Sequence, residues 1–256
     1  MTSTNGTMRR IGDVVDLPAK LSEIDQARRR FRELQAQRHG WDIGVRCVSC
    51  GDTGWMPETE QPCMCETGRE VERREKAELA WHDSLCPRRF RDYTLATHPN
   101  AAAVASVWRW IAEGQPHGQN LLLSGPVGTG KTGLAIAALR ALHLDGQRVM
   151  YRTVPDALDA MRPNKTQVDP ELKARELTRV GVLMLDDLGA EKASEWVTEQ
   201  LYLIINGRYE RELPTIVTTN RTLPELRAMI GERNVSRLTE DAAMVPVGGR
   251  DLRRAS

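Results

Sequence analysis

The 256-residue sequence predicts an α/β fold in which a central parallel sheet is flanked by helices. From about Val104 onward, helical and strand patterns alternate, which is typical of a parallel sheet covered on both faces. A glycine-rich G-x-x-x-x-G-K-[ST] motif stands between a short apolar run and a helical pattern. A second apolar run, at 182–185, ends in two adjacent acids. The glycine-rich motif and the pair of acids each point to a group of candidate functional residues.

The glycine-rich motif, residues 125–132, is preceded by an apolar strand pattern at 120–124 and followed by a helix pattern at 133–142. Strand, loop and helix in this order form a phosphate-binding loop, because backbone N–H groups and the helix N-terminus then face phosphate oxygens. We expect Lys131 to contact the β- and γ-phosphates and the Thr132 hydroxyl to ligate Mg²⁺. The predicted nucleotide-binding residues are Gly125, Pro126, Val127, Gly128, Thr129, Gly130, Lys131 and Thr132.

The apolar run at 182–185 predicts a buried strand that ends in Asp186 and Asp187. In ATPases with a phosphate-binding loop, the acid at the end of such a strand holds Mg²⁺, so we assign Asp186 to the metal. Asp187 is placed to orient or deprotonate the attacking water. Many ATPases carry glutamate at this position. Because aspartate is one methylene shorter, we expect slow or conditional hydrolysis of ATP.

A third strand pattern, at 214–219, ends in Asn220, and the segment 231–238 follows with Arg233 and Arg237. This order resembles the AAA+ ATPases. The resemblance implies that Asn220 is the sensor-1 residue, which helps to position the water. It also implies that Arg237 is the arginine finger, with Arg233 as the alternative. A finger acts on the nucleotide of a neighbouring subunit, so it implies self-association into an ATP-dependent oligomer.

Composition and charge exclude several classes of protein. The formal net charge is +1, from 36 basic and 35 acidic residues, so any contact with DNA must come from a local patch. No apolar run approaches the roughly 20 residues of a membrane span. Residues 1–16 are polar and lack the apolar region of a secretory signal. We therefore expect a cytoplasmic protein without a membrane partner, in a compartment where cysteines favour metal over disulfide.

Four of the five cysteines lie within residues 47–65, with C-x-x-C spacing in the first pair and C-x-C in the second. Two tight hairpins can bring such pairs to one tetrahedral Zn²⁺, and four thiolates leave no open coordination position. The predicted ligands of this structural zinc site are Cys47, Cys50, Cys63 and Cys65. The alternatives are a redox pair or buried thiols.

These patterns predict a helical N-terminal domain at 1–85 that contains the zinc knuckle at 47–65. A linker follows at 86–103, and the ATPase domain occupies 104–256. Apolar residues spaced three or four apart predict an N-terminal helix at 16–38. A second, heavily charged helix is predicted at about 66–85.

Several segments occur in an order that resembles the DnaC/DnaI-type replicative helicase loaders. They are the cysteine segment with Asp52-Thr53-Gly54, the run Arg88-Arg89-Phe90-Arg91-Asp92-Tyr93-Thr94-Leu95, Leu185 to Glu191, and Pro214 to Asn220. The resemblance covers nearly the whole chain after about Asp42. It implies an AAA+ P-loop ATPase whose small, helical, zinc-binding N-terminal domain binds a ring-shaped DnaB-type helicase. It also implies that the ATPase domain grips single-stranded DNA during DNA replication, with ATP binding and hydrolysis gating both contacts.

The same resemblance implies roles for three further residues. Trp196 and Ser194 match positions that reach single-stranded DNA, where an aromatic ring can stack on a base and a hydroxyl can donate to phosphate. The alternative for Trp196 is packing against the sheet. Arg253 matches a second sensor arginine that contacts the nucleotide.

Two other functions remain open. The IS21-type transposition helpers have a similar ATPase domain, but their N-terminal region usually lacks a four-cysteine cluster. A nucleotide-gated adaptor for DNA and helicase, with little turnover of ATP, is also compatible with Asp187.

Overall fold

A computed structural model describes residues 55–56, 61–82, 86–162 and 169–254. The chain divides into two compact units, Met1–Gly68 and Arg69–Ser256. The predicted helix at 16–38 and the predicted zinc ligands Cys47 and Cys50 lie outside the described residues. The predicted domain boundaries at residues 85 and 103 stay predictions.

In the first unit, the described residues form a short antiparallel pair, β1 (Trp55–Met56) and β2 (Gln61–Pro62). Trp55 is opposite Pro62 and Met56 is opposite Gln61. Helix α1 (Glu66–Ala80) begins four residues after β2. The two C-x-C cysteines thus lie in the segment between the end of β2 and the first residue of α1.

The second unit is built on a five-stranded sheet with every neighbouring pair parallel. Its strands are β3 (Leu121–Ser124), β4 (Val149–Thr153), β5 (Val182–Leu188), β6 (Thr215–Thr219) and β7 (Ala243–Pro246). Their order across the sheet is β4-β5-β6-β3-β7. The helices of this unit besides α1 are α2 (Ala101–Ala112), α3 (Lys131–Leu144), α4 (Val154–Ala160), α5 (Pro170–Arg179), α6 (Glu195–Tyr209), α7 (Leu223–Ile230) and α8 (Glu232–Thr239). The prediction of a central parallel sheet flanked by helices is therefore confirmed.

Apolar clusters cover both faces of the sheet. Leu121 and Leu123 of β3 belong to the cluster that includes Val107 of α2 and Leu139 of α3. Leu122, between them, belongs to the cluster formed with α4 to α8. Successive strand side chains point to opposite faces, so a strand buried on both sides reads as an unbroken apolar run. This is why β3 and β5 are visible in the sequence as continuous apolar segments.

A buried arginine fixes the amino ends of the two strands that carry the polar site. Arg208 of α6 is 1% exposed, and burial lowers the pKa of its guanidinium to about 9. The guanidinium donates hydrogen bonds of 2.6–3.2 Å to Thr215 Oγ1 and to the carbonyl oxygens of Leu177, Val180, Gly181 and Pro214. These bonds satisfy polar groups at the start of β5 and β6 that are buried or partly buried. No helix in the described part of the chain has the length and apolarity to cross a membrane.

Candidate nucleotide-binding site

The phosphate loop (residues 125–132) leaves the carboxyl end of β3 and enters α3, as the sequence predicts. Gly128 and Gly130 have φ of 85° and 90°, in the left-handed region that favours glycine. A Cβ at Gly130 would lie 2.8 Å from Nε2 of His98, and one at Gly128 would overlap the carboxylate of Asp251. The loop therefore needs glycine for its backbone conformation and for close packing.

Lys131, the first residue of α3, points back into the loop. Its Nζ donates to the carbonyl oxygens of Gly125 at 2.8 Å and Pro126 at 2.7 Å. The residue is 7% exposed. Burial is the main cause that lowers the pKa of this ammonium, and the charge of Asp187 opposes the shift. A desolvated ammonium held inside the phosphate loop is the point charge that a polyphosphate needs.

The carboxylate of Asp186, at the carboxyl end of β5, meets the phosphate loop directly. Its Oδ1 accepts a hydrogen bond from Thr132 Oγ1 at 2.9 Å, and the residue is 6% exposed. Mg²⁺ takes oxygen ligands at 2.0–2.1 Å in octahedral geometry, so neighbouring ligands lie on the order of 3 Å apart. Thr132 and Asp186 thus fit the ligand set that the sequence predicts for Mg²⁺.

Two hydroxyls outside the predicted set also donate to Asp186. Thr218 Oγ1 of β6 donates to Oδ1 at 2.6 Å, and Tyr151 OH of β4 donates to Oδ2 at 3.2 Å. Burial, then the charge of Asp186, raises the pKa of the Tyr151 phenol well above its ordinary value, so this hydroxyl stays a donor. Sequence reasoning did not identify either residue. The sequence does contain a sign of Thr218, because the alternation of side chains along a strand places it on the same face as Asn220.

Asp187 lies beside Asp186 in a different backbone conformation. Its φ of 62° is in the left-handed region, where the pairing register of β5 with β6 is shifted between Leu185 and Leu188. The side chain is exposed, and its Oδ1 accepts a hydrogen bond from Nδ2 of Asn220 at 3.0 Å. The structure therefore brings Asp187 and Asn220 together at the carboxyl ends of β5 and β6. Strained residues of this kind cluster at active sites.

Arg233 and Arg237 both lie on α8, four residues apart. The guanidinium carbon of Arg237 lies 4.9 Å from the ring centroid of Tyr202 and 5.7 Å from that of Tyr209. One of its terminal nitrogens, Nη1, is buried without a hydrogen-bond partner. Arg233 is exposed, with its guanidinium carbon 5.8 Å from the Tyr202 ring.

The backbone of Arg237 lies at the other end of β3 from the phosphate loop. Its carbonyl oxygen accepts a hydrogen bond of 3.4 Å from Nδ2 of Asn120, the residue before β3. The phosphate loop begins where β3 ends, four strand residues later, and these span roughly 13 Å at 3.3 Å per residue. The backbone of Arg237 thus lies about one strand length from the chain's own phosphate loop, and its role as an arginine finger stays a prediction.

Arg253 lies in a short C-terminal turn that packs on the phosphate loop. The backbone N–H of Leu252 donates to the carbonyl oxygen of Gly128 at 2.8 Å. The Arg253 side chain is exposed, and its charge contributes to lowering the pKa of Lys131, behind burial as the main cause. Arg253 thus lies beside the phosphate loop, and its role as a second sensor stays a prediction.

Ser194 and Trp196 stand at the start of α6. Ser194 is exposed and caps the helix, because its Oγ accepts the backbone N–H of Val197 at 3.2 Å. Trp196 is partly buried against the α4–α8 cluster, and the guanidinium carbon of Arg162 lies 4.6 Å from its ring centroid. Helix capping and cation–π stacking account for both residues without DNA, so their DNA role stays a prediction.

Only half of the predicted zinc site can be described. Cys63 is 6% exposed, and Cys65 Sγ accepts the backbone N–H of Gly68 at 3.3 Å. The described residues contain no group of three or more histidine, cysteine, aspartate or glutamate side chains that could hold a metal ion. Because Cys47 and Cys50 lie outside them, the four-cysteine site stays a prediction.

Comparisons with known proteins give two groups of relatives. Residues 71–256 match the family described as IstB-like ATP binding protein. The replicative helicase loader DnaC of Escherichia coli K12 is 26% identical over 151 residues, which cover 58% of this chain and 62% of DnaC. A putative insertion sequence ATP-binding protein of Sinorhizobium fredii is 27% identical over 229 residues, covering 87% of this chain and 72% of that protein.

The fold itself is also found in a solved structure. The crystal structure of the DnaC helicase loader superposes with a TM-score of 0.58 and 26% identity, covering 63% of this chain and 100% of the other. The chain spans about six tenths of the length of the DnaC protein that it matches. The predicted resemblance to helicase loaders, with the IS21-type ATPases close by, is thereby confirmed.

Proposed function

Because the chain belongs to the family of IstB-like ATP-binding proteins, we propose that it is an AAA+ ATPase that loads a ring-shaped replicative helicase onto single-stranded DNA. Homology to DnaC and to an insertion sequence ATP-binding protein supports a nucleotide-dependent ATPase of DNA replication or transposition. The loader function rests on the DnaC relationship and on the order of the sequence motifs. ATP, Mg²⁺ and Zn²⁺ are the cofactors of this proposal, and a DnaB-type helicase and single-stranded DNA are its partners.

One observation carries the ATPase part of the proposal: the phosphate loop, the β5 acids and Asn220 converge at the carboxyl ends of three neighbouring strands. In open α/β sheets, ligands bind at this edge. Lys131 exchanges the carbonyl oxygens of Gly125 and Pro126 for the β- and γ-phosphates. Thr132 and Asp186 would hold Mg²⁺, which when bound neutralises charge on the phosphates.

The hydrolytic step falls to Asp187 and Asn220. The Asp187 carboxylate is exposed to solvent, so it can orient a water molecule and accept its proton. The amide of Asn220 holds one carboxylate oxygen at 3.0 Å, which leaves the other oxygen for the water. Arg237 of a neighbouring chain stabilises the charge that develops on the γ-phosphate.

A second candidate function is that of an IS21-type transposition helper. The match to the Sinorhizobium fredii protein favours it, because this match extends over 87% of the chain, against 58% for DnaC. The two functions differ in their partners, a ring-shaped helicase in one and a transposase with duplex DNA in the other. A nucleotide-gated adaptor would bind the same partners as the loader without sustained turnover.

The proposed function is tested with the purified full-length chain. We expect it to co-elute with a hexameric DnaB-type helicase in the presence of ATP and Mg²⁺, and to hydrolyse ATP faster when single-stranded DNA is added. Stimulation by duplex DNA alone, without helicase binding, would favour the transposition helper. Helicase binding without measurable turnover would identify the adaptor.

For the DNA contact, we expect Trp196→Ala to weaken binding of a labelled single-stranded oligonucleotide by roughly ten- to a hundredfold at fixed salt. The reason is that stacking on an aromatic ring contributes about 1–3 kcal/mol per base. A base reaches the ring by displacing the Arg162 guanidinium, which can then pair with phosphate. Fluorescence anisotropy measures the affinity, and a melting curve measures stability in parallel.

Two variants separate DNA stacking from packing. Trp196→Phe keeps an aromatic face and is expected to retain most of the affinity. Trp108 of α2 is also partly buried, but against the cluster on the other face of the sheet, so Trp108→Ala is expected to lower the melting temperature without changing DNA affinity. If Trp196→Ala behaves like Trp108→Ala, Trp196 is a packing residue and the DNA groove lies elsewhere.

A further inference from the structure

The hydroxyl of Thr218 touches both acids of the site. Thr218 lies on β6 and is 2% exposed. Its Oγ1 donates to Oδ1 of Asp186 at 2.6 Å and accepts the backbone N–H of Asp187 at 2.8 Å. A hydroxyl has one donor and two acceptor lone pairs, so both bonds form at once. One buried oxygen thus joins the proposed Mg²⁺ ligand to the residue proposed to act on water.

Tyr151 forms a hydrogen bond with the other oxygen of the Asp186 carboxylate. Its OH donates to Oδ2 of Asp186 at 3.2 Å from β4, on the far side of β5 from Thr218. Asp186 therefore receives hydroxyls from both neighbouring strands as well as from Thr132 of the phosphate loop. When Thr132 turns to the metal, the bonds from Thr218 and Tyr151 can persist and keep the carboxylate in one orientation.

We propose that Thr218 is a positioning residue that sets the Asp186 carboxylate for Mg²⁺ and the Asp187 backbone for hydrolysis, with Tyr151 as its counterpart on the second carboxylate oxygen. The inference rests on the proposed ATPase function. It assigns no contact with nucleotide to either residue, since each acts through an acid. Outer-shell partners of this kind typically account for 10- to 100-fold in metal affinity or activity.

The bond to the Asp187 amide gives Thr218 a role that Tyr151 lacks. Asp187 has φ of 62°, which costs energy for a non-glycine residue and persists only where neighbouring groups hold it. The Thr218 hydroxyl supplies one such bond and Asn220 supplies a second through the side chain. The N–H of Ala190 donates a third, to the Asp187 carbonyl oxygen at 3.2 Å. Removing the Thr218 hydroxyl should therefore affect both Mg²⁺ affinity and turnover, whereas removing the Tyr151 hydroxyl should affect mainly Mg²⁺ affinity.

The test uses Thr218→Val, which keeps the shape of the side chain and removes the hydroxyl. Thr218→Ser keeps the hydroxyl as the rescue variant. Thr219→Val is the matched control, since Thr219 is the next residue, is 1% exposed and donates to the carbonyl of Leu188 at 2.7 Å, not to an acid. The Mg²⁺ concentration for half-maximal binding of a fluorescent ATP analogue is measured, along with kcat, KM and melting temperature.

We expect Thr218→Val to raise the Mg²⁺ midpoint by about 10- to 100-fold and to lower kcat more than it changes KM. Thr218→Ser keeps the hydroxyl, so its Mg²⁺ midpoint should stay close to that of the unmodified protein. Thr219→Val should have a lower melting temperature but an unchanged Mg²⁺ midpoint. Equal midpoints for Thr218→Val and Thr219→Val, or failure of Thr218→Ser to restore binding, would overturn the proposal.

If Thr218→Val does not fold, the Mg²⁺ midpoint of Tyr151→Phe tests the proposal instead. This variant removes one hydroxyl from a half-buried ring and is expected to raise the Mg²⁺ midpoint severalfold with kcat at saturating Mg²⁺ nearly unchanged. An unshifted midpoint in folded Tyr151→Phe would overturn the proposal. Measurements on the unmodified protein distinguish failure of the loader function from failure of the ATPase site. If nucleotide binding depends on Mg²⁺ but no helicase is loaded, only the loader function is contradicted. If nucleotide binding does not depend on Mg²⁺, the ATPase site itself is contradicted.

Discussion

Lys131→Ala is expected to reduce the affinity for ATP by roughly 30-fold to several thousandfold and to remove measurable hydrolysis. The Lys131 ammonium is buried in the phosphate loop and donates to two of its carbonyl oxygens. Truncating one member of a desolvated charge pair costs about 2–5 kcal/mol, and here the other member is the polyphosphate. Titration with a fluorescent ATP analogue, with Mg²⁺ present, measures the change.

A lysine outside the site provides the matched control. Lys173 of α5 is paired with Glu176 through a bond of 2.9 Å on the protein surface. Lys173→Ala removes the same charge, and a surface pair of this kind contributes little to stability. It should bind ATP as the unmodified chain does. Unchanged affinity in a folded Lys131→Ala protein would contradict the assignment of residues 125–132 as a phosphate loop.

Much of this site can be predicted from the sequence because its parts are encoded locally. The phosphate loop needs glycine at specific φ angles and a strand and helix on either side, all within residues 121–144. Asp186 is visible because it ends the apolar run of β5, and Asn220 because it follows the β-branched run of β6. Parallel strands bring their carboxyl ends to one edge, so local patterns suffice to place these residues together.

The remaining parts of the site depend on contacts between strands that are distant in sequence. Tyr151 reaches Asp186 from 35 residues away and Thr218 from 32 residues away. Strand order decides these contacts, and an isolated tyrosine in a strand pattern carries no sign of it. The left-handed backbone of Asp187 is equally hidden, since aspartate in the sequence does not reveal a positive φ.

The environment of the arginines on α8 is likewise a matter of packing. The sequence predicts Arg237 as the finger from its position after Asn220. The structure shows its guanidinium over the rings of Tyr202 and Tyr209, both contributed by α6. Stacked aromatic rings hold the planar guanidinium in place. In the proposed finger role, such preorganisation would lower the entropy that is lost when the arginine binds a neighbour's phosphate.

Arg237→Ala is therefore expected to bind ATP nearly as the unmodified chain does and to lose the stimulated part of hydrolysis. An arginine finger contributes on the order of 10³–10⁵ in kcat. The loss should appear in kcat at saturating ATP, measured with the stimulating single-stranded DNA or helicase present. Nucleotide binding by each chain should be unaffected, because the backbone of Arg237 lies at the other end of β3 from its own phosphate loop.

Mixing two inactive variants tests whether Arg237 acts in trans. An assembly of Arg237→Ala and Lys131→Ala chains contains interfaces that pair an intact phosphate loop with an intact arginine, so it should recover part of the activity.

Arg233→Ala is the matched control on the same helix, because Arg233 is exposed and lies farther from the Tyr202 ring. If Arg233→Ala loses stimulated hydrolysis while Arg237→Ala keeps it, the finger is Arg233 and the tyrosine-packed arginine stabilises the α6–α8 contact. If the mixture stays inactive although both chains assemble, Arg237 does not complete a neighbour's site, because a residue that acts in trans must be able to complement a defective partner.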